Sequence, residues 1–265
     1  MPKLKLRFGE VETDESIPSM DAIAQEIDSN GIFGYEGERR GVSTEADDAQ
    51  YDVGDDYIFA RFVGEVTEER KEISDGIVSI GESNIARVMR FLLTRDGSYA
   101  FETTSGVYDE DALDYLIGED SFDIDFQCNR YNRFTREQMK EFYTSSFRVR
   151  GVQIEEIGDR QPDNHSVQQD VAEYVENAGE NAVRAVFSTG SQDNNLKGAE
   201  IVDGFSRLSD VNYIRMKDSE GQISEANSSG RYVMSHPADL TIPEQGERVR
   251  DVMSTVTSGL TQDDE

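Results

Sequence analysis

The chain has 265 residues, 55 Asp plus Glu against 26 Lys plus Arg, a formal charge of −29 and only 36% hydrophobic residues. Its one cysteine, Cys128, excludes an internal disulfide and a cysteine-based zinc finger. No apolar run approaches the roughly 18 residues of a membrane-spanning helix, and the alternating start at Lys3, Leu4, Lys5 and Leu6 is not a signal peptide.

Only six of the 26 basic residues are Lys. A surface poor in Lys and crowded with carboxylates suits a salt-rich cytosol. In molar salt the Debye length is about 3 Å, so carboxylate repulsion is screened. At low salt the same charge pushes a compact fold apart. The composition therefore reads as a folded cytosolic protein of a halophile.

Leu4, Leu6 and Phe8 alternate with basic residues and predict a strand ended by Gly9. Met20, Ile23, Ala24 and Ile27 predict a helix over Ser19–Asp28, stopped at Asn30 and Gly31. The polar stretch from Ile32 to Asp56 reads as irregular. Tyr57–Val66 reads as a strand. Asp96 and Gly97 predict a two-residue hairpin turn between Arg87–Thr94 and Ser98–Ser105, with Leu92 opposite Phe101. Apolar residues on both faces give that hairpin a central place in a sheet. A short helix follows over Tyr108–Ile117, closed by Gly118.

The alternation Phe122, Ile124, Phe126 predicts a strand with Asp123 and Asp125 on its wet face. Thr135 and Gln138 make a capping box, so a helix starts at Arg136. Phe147–Ile157 is a predicted strand, and Val167, Val171, Tyr174, Val175 and Ala178 predict a helix capped by Ser166. Ala182–Thr189 reads as a strand, and Tyr213–Lys217 with Gln222–Ala226 as a hairpin. Thr241 and Glu244 cap a last helix lined by Val249, Val252, Met253 and Val256. The fold class is α+β: antiparallel-rich sheet, one or two, with about five amphipathic helices. Residues 1–118 read as a β-rich N-terminal domain, 119–260 as a C-terminal α+β domain and 261–265 as an acidic tail.

Cys128–Gly151 stands out. It carries six basic residues, Arg130, Arg133, Arg136, Lys140, Arg148 and Arg150, against Glu137 and Glu141, with five aromatics between them. Cations neutralise phosphates, and exposed aromatics stack on unpaired bases. This stretch is the candidate nucleic-acid surface, although Phe142 and Tyr143 fall on the helix's apolar side.

Other constellations carry alternative chemistry. Both histidines occur as Arg-x4-His, at Arg160–His165 and Arg231–His236. This spacing resembles the ribonuclease motif of HEPN-domain proteins, where Arg and His share a helix. The resemblance implies these four residues as catalytic candidates, but Pro162 interrupts the first copy and Pro237 follows the second. Asp123 and Asp125, with Asp120, are a candidate Mg2+ site. Glu69 and Lys71, downstream of Asp55 and Asp56, have the Glu-x-Lys spacing of restriction-type nucleases. The loop Ser188–Gly198 follows a strand, as phosphate loops do, but lacks the Gly-Lys-Ser/Thr core. No cofactor is called for. The reading is a non-catalytic binding or regulatory protein that contacts nucleic acid or a nucleoprotein complex. The alternatives are a nuclease of a defence system, metal-dependent or HEPN-like, and a subunit that docks an acidic protein partner.

Overall fold

The computed structural model describes residues 3–44, 50–74, 77–103, 106–155, 184–190, 195–200, 202, 210–235 and 239–258. The fold is α+β, with antiparallel strand pairing and four helices among the described residues. The predicted helix at 166–178 lies outside them. The chain divides into two compact units, Leu6–Arg130 with Asp239–Met253, and Met1–Lys5 with Tyr131–Ala238 and Ser254–Glu265. The boundary read near Gly118–Ser121 falls inside the first.

In the first unit, β1 (Lys3–Glu12, here from Leu6) pairs with β7 (Ser98–Glu102), β7 with β6 (Ile77–Thr94), and β6 with β5 (Tyr57–Ser74). The edge of β5 takes β3 (Arg40–Val42) and β4 (Tyr51–Val53), and β2 (Ile32–Phe33) pairs with β3. These short strands lie in the stretch expected to be irregular. β8 (Gln127–Arg130) pairs with β1. Helices α1 (Met20–Asn30) and α2 (Asp109–Leu116) bury Ile23, Ile27, Ala112 and Leu116 in one core with Ile58, Phe62, Met89 and Phe91. The alternate residues Phe59 and Leu92 are equally buried. Phe59 is backed by Gly246, where an added Cβ would sit 3.0 Å from the Phe59 Cβ.

Three local expectations are corrected. Gly9 does not end β1, which continues to Glu12. The glycine is there because the Tyr99 ring lies 2.5 Å from where a Cβ would be. The hairpin turn has three residues, not two: Leu92 pairs with Ala100 and Phe91 with Phe101. Gly97, at φ 91°, supplies the left-handed residue that such a loop needs. Phe122–Phe126 is a turn and not a strand. Its amides at Phe122 and Asp123 donate to the Gly118 carbonyl, and Asp123 has φ 56°.

In the second unit the strands run β10 (Arg184–Ser188), β9 (Arg148–Glu155), β11 (Asp210–Lys217), β12 (Ile223–Asn227), β13 (Arg231–Ser235), each antiparallel to the next. Helix α3 (Arg136–Ser145) starts where the capping box predicts, with Thr135 Oγ1 accepting from the Gln138 amide at 3.1 Å. Its Met139, Phe142 and Tyr143 are buried, and Phe142 contacts the rings of Phe134 at 5.2 Å and Tyr232 at 5.4 Å. Val152, Ile154, Ile214, Met216 and Ala226 are buried on the same side of the strands. The last helix, α4 (Ile242–Ser258), opens with the predicted Thr241–Glu244 box. Among the described residues no helix is long and apolar enough to cross a membrane.

Candidate functional site

The six cations of Cys128–Gly151 do not form one surface. Arg130 ends β8 in the first unit. Its Nε and Nη2 hold both carboxylate oxygens of Asp109 at 2.6–3.1 Å, and Nη2 also reaches Glu110 at 2.7 Å. The hydrogen bonds to Asp109 raise the guanidinium's pKa. The Asp109 carboxylate is 2% exposed and also accepts from the Tyr99 hydroxyl at 3.1 Å. Arg130 is thus the counter-ion of a buried carboxylate. Beside it, burial and then the Asp109 charge push the Cys128 thiol up to about 11. A thiol that stays protonated at neutral pH is a poor nucleophile.

Nor do the metal constellations assemble. Asp123 and Asp125 are exposed on a turn, not on one strand face. Asp120 pairs with Arg40 at 2.6 Å. Among the described residues no three His, Cys, Asp or Glu gather as ligands. Asp55 and Asp56 precede β5, whereas Glu69 and Lys71 lie far along it. Thirteen residues of strand put Asp56 and Glu69 about 43 Å apart. Arg231 opens strand β13, so it is not on the helix that the HEPN resemblance requires. Arg160, His165 and His236 lie outside the described residues.

In the second unit the sheet itself sorts the remaining cations. Arg133 and Arg136 stand at the start of α3 and line a cavity of about 560 Å3 together with Glu155, Asp210, Asn212 and Asn227. Its two cations face two carboxylates, and Arg136 Nε lies 3.7 Å from Asp210. Lys140 is exposed on α3. Arg148 and Arg150 point the other way. Val149, Val152 and Ile154 take the buried face of β9, and a register shift between Arg215 and Met216 leaves Arg150 as an extra residue. A bulge of this kind re-aims a side chain.

On that opposite face lies a second depression, of about 480 Å3, lined by Arg150, Gln153, Tyr213, Arg215, Lys217 and Thr189 among others, with no Asp or Glu among the described residues of its lining. Arg150 Nε donates to Thr189 Oγ1 at 2.7 Å. Arg148 pairs directly opposite Lys217 and places its guanidinium carbon 5.4 Å from the Phe147 ring. Like charges directly opposite in a sheet repel. Glu225, directly opposite Arg215 on β12, supplies a counter-charge, 3.9 Å from Arg215 and 3.7 Å from Lys3. Burial and then the Glu225 charge raise the pKa of Tyr213.

Tyr213, Arg215 and Lys217 are not among the sequence-predicted site residues, because the sequence marks that segment only as half of a hairpin. Their spacing at i, i+2, i+4 is the signal that could have found them, since it puts all three on one face of a strand. Two described residues of the stretch read as a loop, Asn195 and Lys197, support the sheet and α3. Asn195 Oδ1 accepts from the Val149 amide at 2.8 Å, and Lys197 Nζ donates to the Ser146 carbonyl at 2.8 Å, at the end of α3. Lys197 thereby serves a helix C-terminus, where cations are favoured.

The charge asymmetry extends to the segment. Tyr131–Ala238 has 12 basic and 17 acidic residues, a net of −5, while the rest of the chain has 14 and 38, a net of −24. The sequence matches no protein-family model and no curated protein.

Proposed function

We propose that this is a non-catalytic binding protein of a salt-rich cytosol that contacts nucleic acid through the open sheet face of its second unit. The observation that supports it is the gathering of Arg148, Arg150, Arg215 and Lys217 on adjacent strands, where Glu225, opposite Arg215, is the nearest carboxylate given by the described residues. In a chain of −29 such a patch is maintained against the composition. Arg and Lys at this density neutralise phosphates. The cavity beside α3 is a weaker candidate because its own carboxylates compensate Arg133 and Arg136.

The test compares two triple variants of the full chain in binding to labelled nucleic acid across a KCl series. Arg150→Gln/Arg215→Gln/Lys217→Gln should lose affinity for every sequence alike. It should also flatten the salt dependence on a single strand, the log–log slope falling by about 0.7 for each phosphate no longer neutralised. Arg133→Gln/Arg136→Gln/Lys140→Gln should bind as wild type. Equal losses in both variants, or no binding by wild type, would overturn the assignment.

A further inference from the structure

We propose that the ligand of this sheet face is a single strand of nucleic acid, with unpaired bases stacked on Tyr213 and Phe147 and its phosphates along Arg148, Arg150, Arg215 and Lys217. This rests on the nucleic-acid reading above and narrows it.

Shape argues first. Reading the base edges of a duplex takes an element that enters a groove, a helix or a two-stranded ribbon. The face carrying the cations is built from strands, and α3 packs on the other side of them, against Tyr232 and the buried side of β11. The chain does own a long ribbon, β5–β6, but it has no cationic excess. Its two strands carry Arg61, Arg70, Lys71, Arg87 and Arg90 against Glu65, Glu68, Glu69, Glu72 and Glu82. A cationic sheet face is instead a platform that a flexible strand can cross, one base per aromatic ring.

The side chains fit that use. Tyr213, Arg215 and Lys217 follow one another at two-residue steps, about 6.6–6.8 Å each, and β9 lies about 4.8 Å to the side. Phe147 is 58% exposed and stands next to Arg148 at the entrance of β9. Tyr213 lines the depression itself. Gln153, Ser188 and Thr189 add amide and hydroxyl groups at the same place, which bond the edges of unpaired bases.

Salt decides between phosphate contact alone and phosphate contact with stacking. Four phosphate contacts to a single strand weaken binding about 600-fold for each tenfold rise in salt. In molar salt, affinity must then come from contacts that ions do not screen. Stacking is such a contact, and it requires bases that are not already stacked in a duplex.

The experiment measures binding of the full chain in molar KCl to labelled oligo(U), oligo(dT), the matching duplexes and an acidic polyglutamate peptide. Single strands should bind at least about tenfold tighter than duplexes. Tyr213→Ala and Phe147→Ala should each weaken single-strand binding about tenfold, and Tyr213→Phe should restore it because the ring suffices. Photo-crosslinking of wild type to thiouridine-containing RNA, mapped by mass spectrometry, needs no variant and should label the segments of Tyr213 and Phe147. The RNA and DNA arms decide which sugar is preferred. Duplexes bound as well as single strands, or Tyr213→Ala and Phe147→Ala both without effect, would overturn the single-strand proposal and leave nucleic-acid binding standing. Binding of polyglutamate alone, or of nothing, would overturn both.

Discussion

Asp109 is the most consequential single side chain of the first unit because it is a carboxylate with almost no access to water. Its charge is met by Arg130 on both oxygens, by the Tyr99 hydroxyl and by its place in the first turn of α2. The two partners of the ion pair are not equivalent. Arg130 is 40% exposed and also has Glu110, so removing Asp109 leaves a cation that water can solvate. Removing Arg130 strands a buried carboxylate. Arg130→Gln should therefore cost about 3 kcal/mol or more, and Asp109→Asn distinctly less. Urea unfolding in molar KCl gives both numbers, and equal costs would contradict this account. Neither variant should change nucleic-acid affinity. In the sequence, Arg130 is one of six basic residues in a run. What separates it from the others is the pairing of β8 with β1 and its reach to a carboxylate 21 residues earlier, and no local pattern carries that.

At the scale of elements, Gln138 joins two helices. Its Oε1 accepts from the Thr135 amide at 2.8 Å, completing the capping box of α3. Its Nε2 donates at 3.0 Å to the carbonyl of Val256, in the last turn of α4, where carbonyls lack a partner within the helix. The side chain is 1% exposed. Thr135→Ala removes one cap bond and should cost about 1 kcal/mol. Gln138→Ala removes the other cap bond and leaves a buried carbonyl unpaired, so it should cost about 2–3 kcal/mol. The ordering is the test: if urea midpoints fall equally, the link to α4 contributes nothing. The first half of this arrangement is legible in the sequence, since Thr-x-x-Gln before an apolar stripe specifies a helix start. The second half spans 118 residues and is not. The same limit explains the hairpin register. Asp96–Gly97 identifies the turn, but whether two or three residues form it depends on Gly97 adopting φ 91°, where its amide reaches the Thr94 carbonyl. For the candidate site, periodicity locates β9 and β11 separately. Their adjacency, and the bulge that turns Arg150 towards Arg215, come only from pairing.

For the molecule as a whole, two kinds of charge effect should separate with salt. The diffuse repulsion of −29 is screened over a few ångströms in molar KCl, so raising KCl should raise the unfolding temperature steeply at first and then level off. The buried phenols and the thiol are not reached by that screening. Burial pushes Tyr115 and Tyr232 up to about 12 and Cys128 up to about 11, from ordinary values near 10 and 9. A raised folded value means that the folded chain keeps protons which the unfolded chain gives up. The stability from these groups is then complete below about pH 9 and is lost as pH rises towards 12. In molar KCl the urea midpoint should accordingly be level from about pH 7 to 9 and fall above it. In dilute salt the midpoint should be lower at every pH, since ionising more groups adds to a negative charge already in excess. Tyr232→Phe should flatten the alkaline fall, because phenylalanine has no proton to lose. A midpoint in molar KCl that stays level to pH 12 would show that these groups ionise as easily in the folded chain as in the unfolded one. A midpoint indifferent to KCl at neutral pH would show that the acidic surface does not strain the fold.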